Sequence, residues 1–149
     1  MTFTLPPGWG RSRSRRLPRL NPVSNFTKVN LLEIDDSTPS EVEGLEGRFS
    51  RKFLDSRDLG ISHWRYAPNY QSKGGHRHRE QEEAYVVVSG AGRILVDDEV
   101  LDVRQWDVVR VAPEASRAFS AGPEGLEVIA VGGPKPEGGD GERTEVSWP

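Results

Sequence analysis

The residues with the clearest chemical meaning are two of the chain's three histidines, His76 and His78, which are separated by one residue. Alternate residues of a β-strand point to the same side, so extended backbone would bring the two imidazoles together. On a helix the same spacing would turn them about 200° apart. If this segment is a strand, the two rings lie near enough to bind one metal ion.

Three carboxylates follow closely, at Glu80, Glu82 and Glu83. Strict strand alternation favours Glu80 or Glu82 as a third ligand. The polar stretch 79–82 can instead turn the chain, and Glu83 would then begin the next strand on the same face as Tyr85. Two imidazoles and one carboxylate can bind a divalent metal and leave positions open for water, substrate or dioxygen.

The elements that must position this cluster have the pattern of short β-strands. Between residues 84 and 131, 17 of the 48 residues are Leu, Ile, Val or Phe, and 11 of these are Val. Such residues favour strands, and Gly or Asp at the breaks favours hairpins. The pattern predicts an all-β fold, a single small antiparallel barrel. The predicted strands are 83–89, 93–96, 99–103, 107–111, 117–120 and 126–131, with weaker candidates at 28–34, 47–54 and 60–67.

The two ends of the chain lack a periodic apolar pattern. Segment 1–24 is rich in Arg, Ser and Pro and is predicted to be a disordered basic arm. Segment 133–149 is rich in Gly and Pro and is predicted to be a loose, flexible tail. One barrel domain, 25–132, remains between them.

Composition narrows the chemistry further. The 149 residues include no cysteine, so disulfides, thiolate zinc sites and thiol catalysis are excluded. No apolar run is long enough to span a membrane or to form a signal peptide, which predicts a cytoplasmic protein. Residues 1–24 carry five Arg and no acid, so a net charge of −3 leaves −8 on the rest of the chain. An acidic domain argues against nucleic acid as a partner.

The order His76-Arg77-His78, four residues, Glu83, six residues and Gly90 resembles the first conserved motif of the cupin superfamily. Over about residues 60–132 the chain is similar to a small single-domain bacterial cupin. The resemblance implies a β-barrel in which His76, His78 and Glu83 bind a divalent metal such as Fe, Mn, Ni or Zn. It also implies a homodimer.

The second cupin motif is degraded in this chain. The residues at its Gly, Pro, Gly, His and Asn positions are Trp106, Ala112, Glu114, Arg117 and Ala121. The histidine that usually provides a fourth metal ligand is therefore replaced by Arg117. The resemblance implies that Arg117 points inward, toward the space of that ligand.

Three arrangements of Arg117 are compatible with the sequence. It can pair with Glu83 in a metal-free pocket, because a guanidinium does not ligate metals but forms a fork with carboxylates. It can instead bind an anionic substrate group beside a metal held by His76, His78 and Glu83. It can also lie at the mouth of the barrel and extend into water.

Other candidate substrate contacts are Tyr85, which shares a face with Glu83, and Arg65. Arg65 and His63 lie on one face of a predicted strand and Trp64 lies on the other, and alternation alone does not decide which face is inward. An inward His63 could replace the missing fourth ligand.

Two functions follow from these residues. The first is a metal-dependent enzyme of the dioxygenase or isomerase type that acts on a small anionic substrate. The alternative is a non-enzymatic, metal-free barrel that binds a small molecule, with Arg117 paired to Glu83.

Overall fold

The computed structural model describes residues 25–149, so the predicted arm at 1–24 lies outside the described residues. The described chain is nearly all β, and every strand pairing in it is antiparallel. This confirms the predicted all-β class. The eight strands are β1 (Leu45–Phe49), β2 (Gly60–Tyr66), β3 (Gly74–His78), β4 (Glu83–Val96), β5 (Glu99–Arg104), β6 (Val108–Val111), β7 (Arg117–Gly132) and β8 (Gly141–Glu145).

The strands form two half-sheets that share the long strands β4 and β7. In the first half-sheet the order is β1, β2, the end of β7, the start of β4 and then β6. In the second half-sheet the order is β8, β3, the start of β7, the end of β4 and then β5. Because both long strands run through both halves, the sheet curls over itself.

The core lies between the two half-sheets and is joined by aromatic contacts. Phe119 of the second half-sheet packs against Tyr85 and Tyr66 of the first, with ring centroids 4.9 Å and 5.4 Å apart. Aliphatic side chains fill the space around these rings; the buried ones are Val87, Ile94, Val103, Val111, Leu126 and Val128. Burial of this apolar surface is the main force that holds the halves together.

Glycines in the middle of β4 and β7 allow the sheet to bend. The register shifts between Gly90 and Gly92, and residues 122–125 of β7 have only Ala91 opposite them. The sequence predicts breaks at both places, but the structure shows irregularities inside continuous strands. The predicted strands 83–89 and 93–96 are both part of β4, and 117–120 and 126–131 are both part of β7.

The N-terminal strand predictions are only partly correct. The predicted strand 28–34 is wrong, because Leu31–Glu33 is a 3₁₀ helix whose Leu32 N–H donates to the Asn30 side chain. The candidate 47–54 divides into β1 and a short α-helix, α1 (Arg51–Leu54), whereas 60–67 agrees with β2. Of the helices among the described residues, none is long and apolar enough to cross a membrane.

The C-terminal segment is built into the sheet, which corrects the expectation of a loose tail. Strand β8 pairs with β3 along its whole length, from Gly74 opposite Glu145 to His78 opposite Gly141. Beyond it, the Trp148 indole N–H donates to the Ser72 carbonyl at 2.9 Å. The ordered domain therefore extends past residue 132, because the edge of β3 offers backbone groups that β8 satisfies.

The bend predicts different outcomes for two glycines that both have positive φ. A Cβ at Gly90 (φ +75°) would lie 2.1 Å from the Gly125 carbonyl oxygen, whereas a Cβ at Gly138 (φ +80°) would meet open space. Gly138→Ala should cost about 1–2 kcal/mol from backbone conformation alone. Gly90→Ala should cost about 3–5 kcal/mol, since backbone must also move. Urea denaturation of both variants measures the difference, and equal losses would contradict the proposed bend.

Candidate metal centre

His76 and His78 lie side by side on β3, as their spacing predicts. The ring centroids are 5.3 Å apart and the rings are nearly perpendicular, at 89°. Glu83, the first residue of β4, reaches them from the opposite half-sheet. One ligand atom from each of the three residues lies within 4.8 Å of the other two. The arrangement could therefore hold a metal ion.

Among the three carboxylates that follow the histidines, Glu83 is the one that joins the cluster. Its Oε2 lies 3.5 Å from His76 Nε2 and 3.2 Å from His78 Nε2. The Glu82 side chain forms an exposed ion pair with Arg110 instead. The choice follows from the local backbone, because the chain turns after β3 and then starts β4 at residue 83.

Asp140 fixes the orientation of the His78 ring. Its Oδ1 lies 3.0 Å from His78 Nδ1, and its Oδ2 accepts the backbone N–H groups of Glu80 and Gln81, both at 2.8 Å. Burial alone would raise the pKa of Asp140, but these hydrogen bonds outweigh it and lower the pKa to about 2. The carboxylate therefore stays ionised.

Sequence reasoning misses Asp140, because it lies in the segment taken for a loose tail. The only signal in the sequence is a weak one. Glu142, Thr144, Val146 and Trp148 recur with a period of two and are all half-buried, as one face of a strand should be.

Tyr85 lies at the floor of the cluster. Its hydroxyl donates a short hydrogen bond to Glu83 Oε2 and lies 3.4 Å from His76 Nε2. Burial, together with the neighbouring Glu83 carboxylate, raises the pKa of Tyr85 well above its usual value. Tyr85 is therefore a neutral phenol that donates its proton toward Glu83.

Arg117 points inward, as the resemblance implies, and is fully buried. Its Nη1 donates to the carbonyls of Ala115, Pro113 and His76, at 2.9, 3.3 and 3.4 Å. Its Nη2 lies 3.7 Å from Glu83 Oε2, and neither Nη2 nor Nε has a hydrogen-bond partner among the described residues. The arrangement at the barrel mouth is wrong, since no part of Arg117 reaches water.

The charged groups shift one another's protonation. Burial alone would raise the pKa of Glu83, but His76, His78 and Tyr85 around its carboxylate outweigh burial and hold this pKa well below its usual value. The Glu83 carboxylate is in turn the main cause that raises the pKa of His78, with Asp140 contributing and burial opposing. The site therefore presents an ionised Glu83 to any cation.

Arg65 and His63 are not brought to this cluster. His63 Nε2 lies 2.9 Å from Glu127 Oε2, and Arg65 Nε donates to Glu127 Oε1 at 3.1 Å. Both lie on the outer face of β2, whereas Trp64 on the other face packs against the core. His63 thus does not replace a fourth ligand, and Arg65 is separated from the cavity by the sheet.

A cavity of about 1070 Å³ opens over the cluster. Its walls include His76, His78, Glu83, Tyr85 and the aromatic rings of Phe49 and Trp64, but not Arg117. Four basic and four acidic side chains line it, and the acidic ones are Asp55, Glu83, Asp140 and Glu142. The basic residues are Arg51, Lys52, Arg79 and Lys135.

Comparison with known proteins agrees with this architecture. A family model of the cupin domain matches residues 62–132. A cupin protein from Bacteroides fragilis is 20% identical with a TM-score of 0.60, covering 74% of this chain and 86% of its own. A sugar phosphate isomerase of the cupin superfamily from Silicibacter pomeroyi is 19% identical with a TM-score of 0.61, covering 73% and 76%.

A variant of oxalate decarboxylase from Bacillus subtilis is 20% identical with a TM-score of 0.66, and it covers 85% of this chain. The match spans only 34% of the decarboxylase chain. A search of curated proteins gave no significant match. At these identities the structural similarity establishes the fold and not the activity.

The fold and the family match together identify residues 62–132 as a cupin domain. The donor set also fits the divalent metals of such a site, because imidazole and carboxylate are ligands that these metals accept. His78 Nε2 is a buried atom with no hydrogen-bond partner among the described residues. A bound cation would satisfy it.

The buried guanidinium predicts unequal costs for two Arg→Met substitutions. Arg117→Met removes a fully buried cation and leaves Glu83 and three carbonyls without it, so the free energy of unfolding should fall by about 3–5 kcal/mol. Arg110→Met removes an exposed ion pair with Glu82 and should cost less than about 1 kcal/mol. Chemical denaturation compares the two, and similar losses would show that Arg117 is not integral to the site.

Proposed function

We propose that this cupin binds one divalent metal ion through His76, His78 and Glu83 and acts as a metal-dependent enzyme on a small anionic substrate. The observation that carries the proposal is the convergence of three ligand atoms within 4.8 Å at the floor of an open cavity. The fold that the structural neighbours share with this chain supports the proposal. The activities named for those neighbours are not transferred to this chain.

The electrostatics of the cluster favour a cation. His78 Nδ1 faces the Asp140 carboxylate, so the Nε2 lone pair faces Glu83 Oε2 at 3.2 Å. When the ring is neutral these two electron-rich atoms repel each other, and for this reason Glu83 raises the pKa of His78 and favours a proton between them. His76 Nε2 also lies near this carboxylate, 3.5 Å from Glu83 Oε2. A divalent ion would take the place of the proton and bind all three residues.

Three protein ligands leave positions open for exogenous groups. A metal at this site would supply Lewis-acid polarisation of a bound oxygen, or a binding place for dioxygen. Other residues of the protein hold the ligand side chains in place. Tyr85 holds the Glu83 carboxylate through its hydroxyl, and Asp140 holds His78. An enzyme of the dioxygenase or isomerase type is compatible with this arrangement.

The anionic character of the substrate rests on two exposed lysines in the cavity wall rather than on Arg117 or Arg65. Lys52 of α1 and Lys135 of the segment before β8 are exposed and line the same cavity as the metal ligands. An anion attracted by them could present one oxygen to the site. The roles of Arg117 and Tyr85 in substrate contact, a cytoplasmic location and a homodimer remain predictions, whereas the sheet separates Arg65 from this cavity.

A second function is favoured by the ion pair between Arg117 and Glu83. With Nη2 3.7 Å from Oε2, the guanidinium already supplies a positive charge beside the carboxylate. The barrel would then be a metal-free protein that binds a small molecule in its cavity. A guanidinium and a metal ion compete for the same carboxylate, so metal binding separates the two functions.

The first test is metal retention by untagged protein offered Fe(II), Mn(II), Ni(II) or Zn(II). One equivalent should be retained, and His76→Ala or Glu83→Ala should weaken affinity at least about 100-fold. His63→Gln is the matched control, because His63 pairs with Glu127 outside the site, and it should retain the metal. Elemental analysis measures the retained metal, and calorimetric titration measures the affinity of each variant.

The opposite result supports the second function. If none of the four metals is retained and a chelator does not change the melting temperature, the metal proposal fails. Stabilisation of the same metal-free protein by a small ligand would then identify a binding barrel.

The two exposed lysines in the cavity wall predict that an anion binds inside the cavity and not elsewhere on the surface. Inorganic phosphate should raise the melting temperature of the wild-type protein by about 3 °C or more. The double variant Lys52→Gln with Lys135→Gln should lose most of this shift. The double variant Lys28→Gln with Lys73→Gln changes charge equally outside the cavity and should keep it. Equal shifts in both variants would exclude a specific anion site.

A further inference from the structure

We propose that Asp140 is a positioning residue that selects the tautomer of His78, so that Nε2 carries a lone pair toward Glu83 and the cavity. The inference rests on the proposed function for its consequence, which is metal binding. It rests on the contacts of Asp140 for the tautomer itself. Asp140 lies outside the residues 62–132 matched by the cupin family model.

The Asp140 carboxylate is buried and fully hydrogen-bonded. Its side chain has no exposed surface, and its Oδ2 accepts two backbone N–H groups, from Glu80 and Gln81. An ionised carboxylate that accepts several hydrogen bonds in a buried place is held rigidly in one orientation. Its other oxygen, Oδ1, is thereby directed at His78 Nδ1 at 3.0 Å.

This orientation determines which ring nitrogen carries the hydrogen. An ionised carboxylate can only accept hydrogen bonds, so His78 Nδ1 must be the donor. In the neutral ring Nε2 then has no hydrogen and offers its lone pair 3.2 Å from Glu83 Oε2. A carboxylate behind a ligating histidine is a general means of orienting the ring and strengthening the ligand.

The strand β8 delivers Asp140 to this position. His78 pairs with Gly141, the first residue of β8, and Asp140 just before the strand directs its carboxylate to the His78 ring. Gly138 and Gly139, both with positive φ, turn the chain into this approach. The C-terminal segment thus completes a site whose ligands all come from β3 and β4.

The first measurement needs no variant. Long-range ¹H–¹⁵N spectra of metal-free wild-type protein at mildly alkaline pH report the tautomer of His78. We expect hydrogen on Nδ1 and a bare Nε2. Hydrogen on Nε2 with a bare Nδ1 would overturn the inference, whatever the protein does with metals.

The second measurement is Asp140→Asn, with Asp102→Asn on the exposed part of β5 as the matched control. The single amide oxygen would accept from Glu80 and Gln81 and leave an NH₂ group facing His78 Nδ1, which forces hydrogen onto Nε2. Affinity for Zn(II) should fall about 10–100-fold, together with this change of tautomer. Asp102→Asn should change neither.

The outcomes separate the two proposals. Loss of thermal stability in Asp140→Asn without a change of tautomer would mean that Asp140 is only structural, and the inference fails. If wild-type protein binds no metal but shows the expected tautomer, the metal proposal fails and the positioning of His78 by Asp140 stands. If Asp140→Asn does not fold, the wild-type spectrum decides.

Discussion

The site depends on the bend that folds the two half-sheets over each other. Glu83 belongs to the first half-sheet, whereas His76, His78 and Arg117 belong to the second. The ligands meet only because β4 and β7 pass through both halves and change direction around Gly90 and residues 122–125. The contact of Phe119 with Tyr85 and Tyr66 then holds the halves at a fixed separation. Apolar packing thus sets the distance between the metal ligands.

The same packing excludes water from the charged groups of the site, so these groups need partners within the protein. Glu83, Asp140 and Arg117 place two negative charges and one positive charge in a poorly hydrated region, where unpaired charge is costly. Asp140 is satisfied by three N–H groups, and Arg117 Nη1 by three carbonyls. Glu83 accepts a hydrogen bond from Tyr85 and faces His76 and His78 on its cavity side. The fold satisfies the supporting groups and leaves the ligand atoms available, which is the distribution that a binding site needs.

Most of the strands and the pairing of His76 with His78 could be predicted because both depend on short-range patterns, whereas the approach of Glu83 depends on the bend. Valine-rich runs mark β4 and β7, and the spacing of His76 and His78 requires extended backbone. The sequence could not show whether Arg65 points toward the core or away from it. Alternation assigns the side chains of β2 to two faces, and only the packing of β2 between β1 and β7 determines which face is inward. Asp140 could not be predicted either, because β8 is polar and forms through pairing with β3 rather than through its own pattern. Continuity of the long strands was hidden by glycines that also occur in turns.

Arg117 connects the degraded motif to the chemistry of the site. The fold keeps position 117 directed inward, but a permanently charged donor replaces a ligand there. Two unit charges about 4 Å apart interact by about 4 kcal/mol at an effective dielectric constant of about 20. A guanidinium beside Glu83 therefore weakens the hold of this carboxylate on a metal ion and adds positive charge around it. Both effects favour an anion as the additional ligand. The arginine that stands in place of a fourth ligand thus also places a positive charge beside the other three side chains.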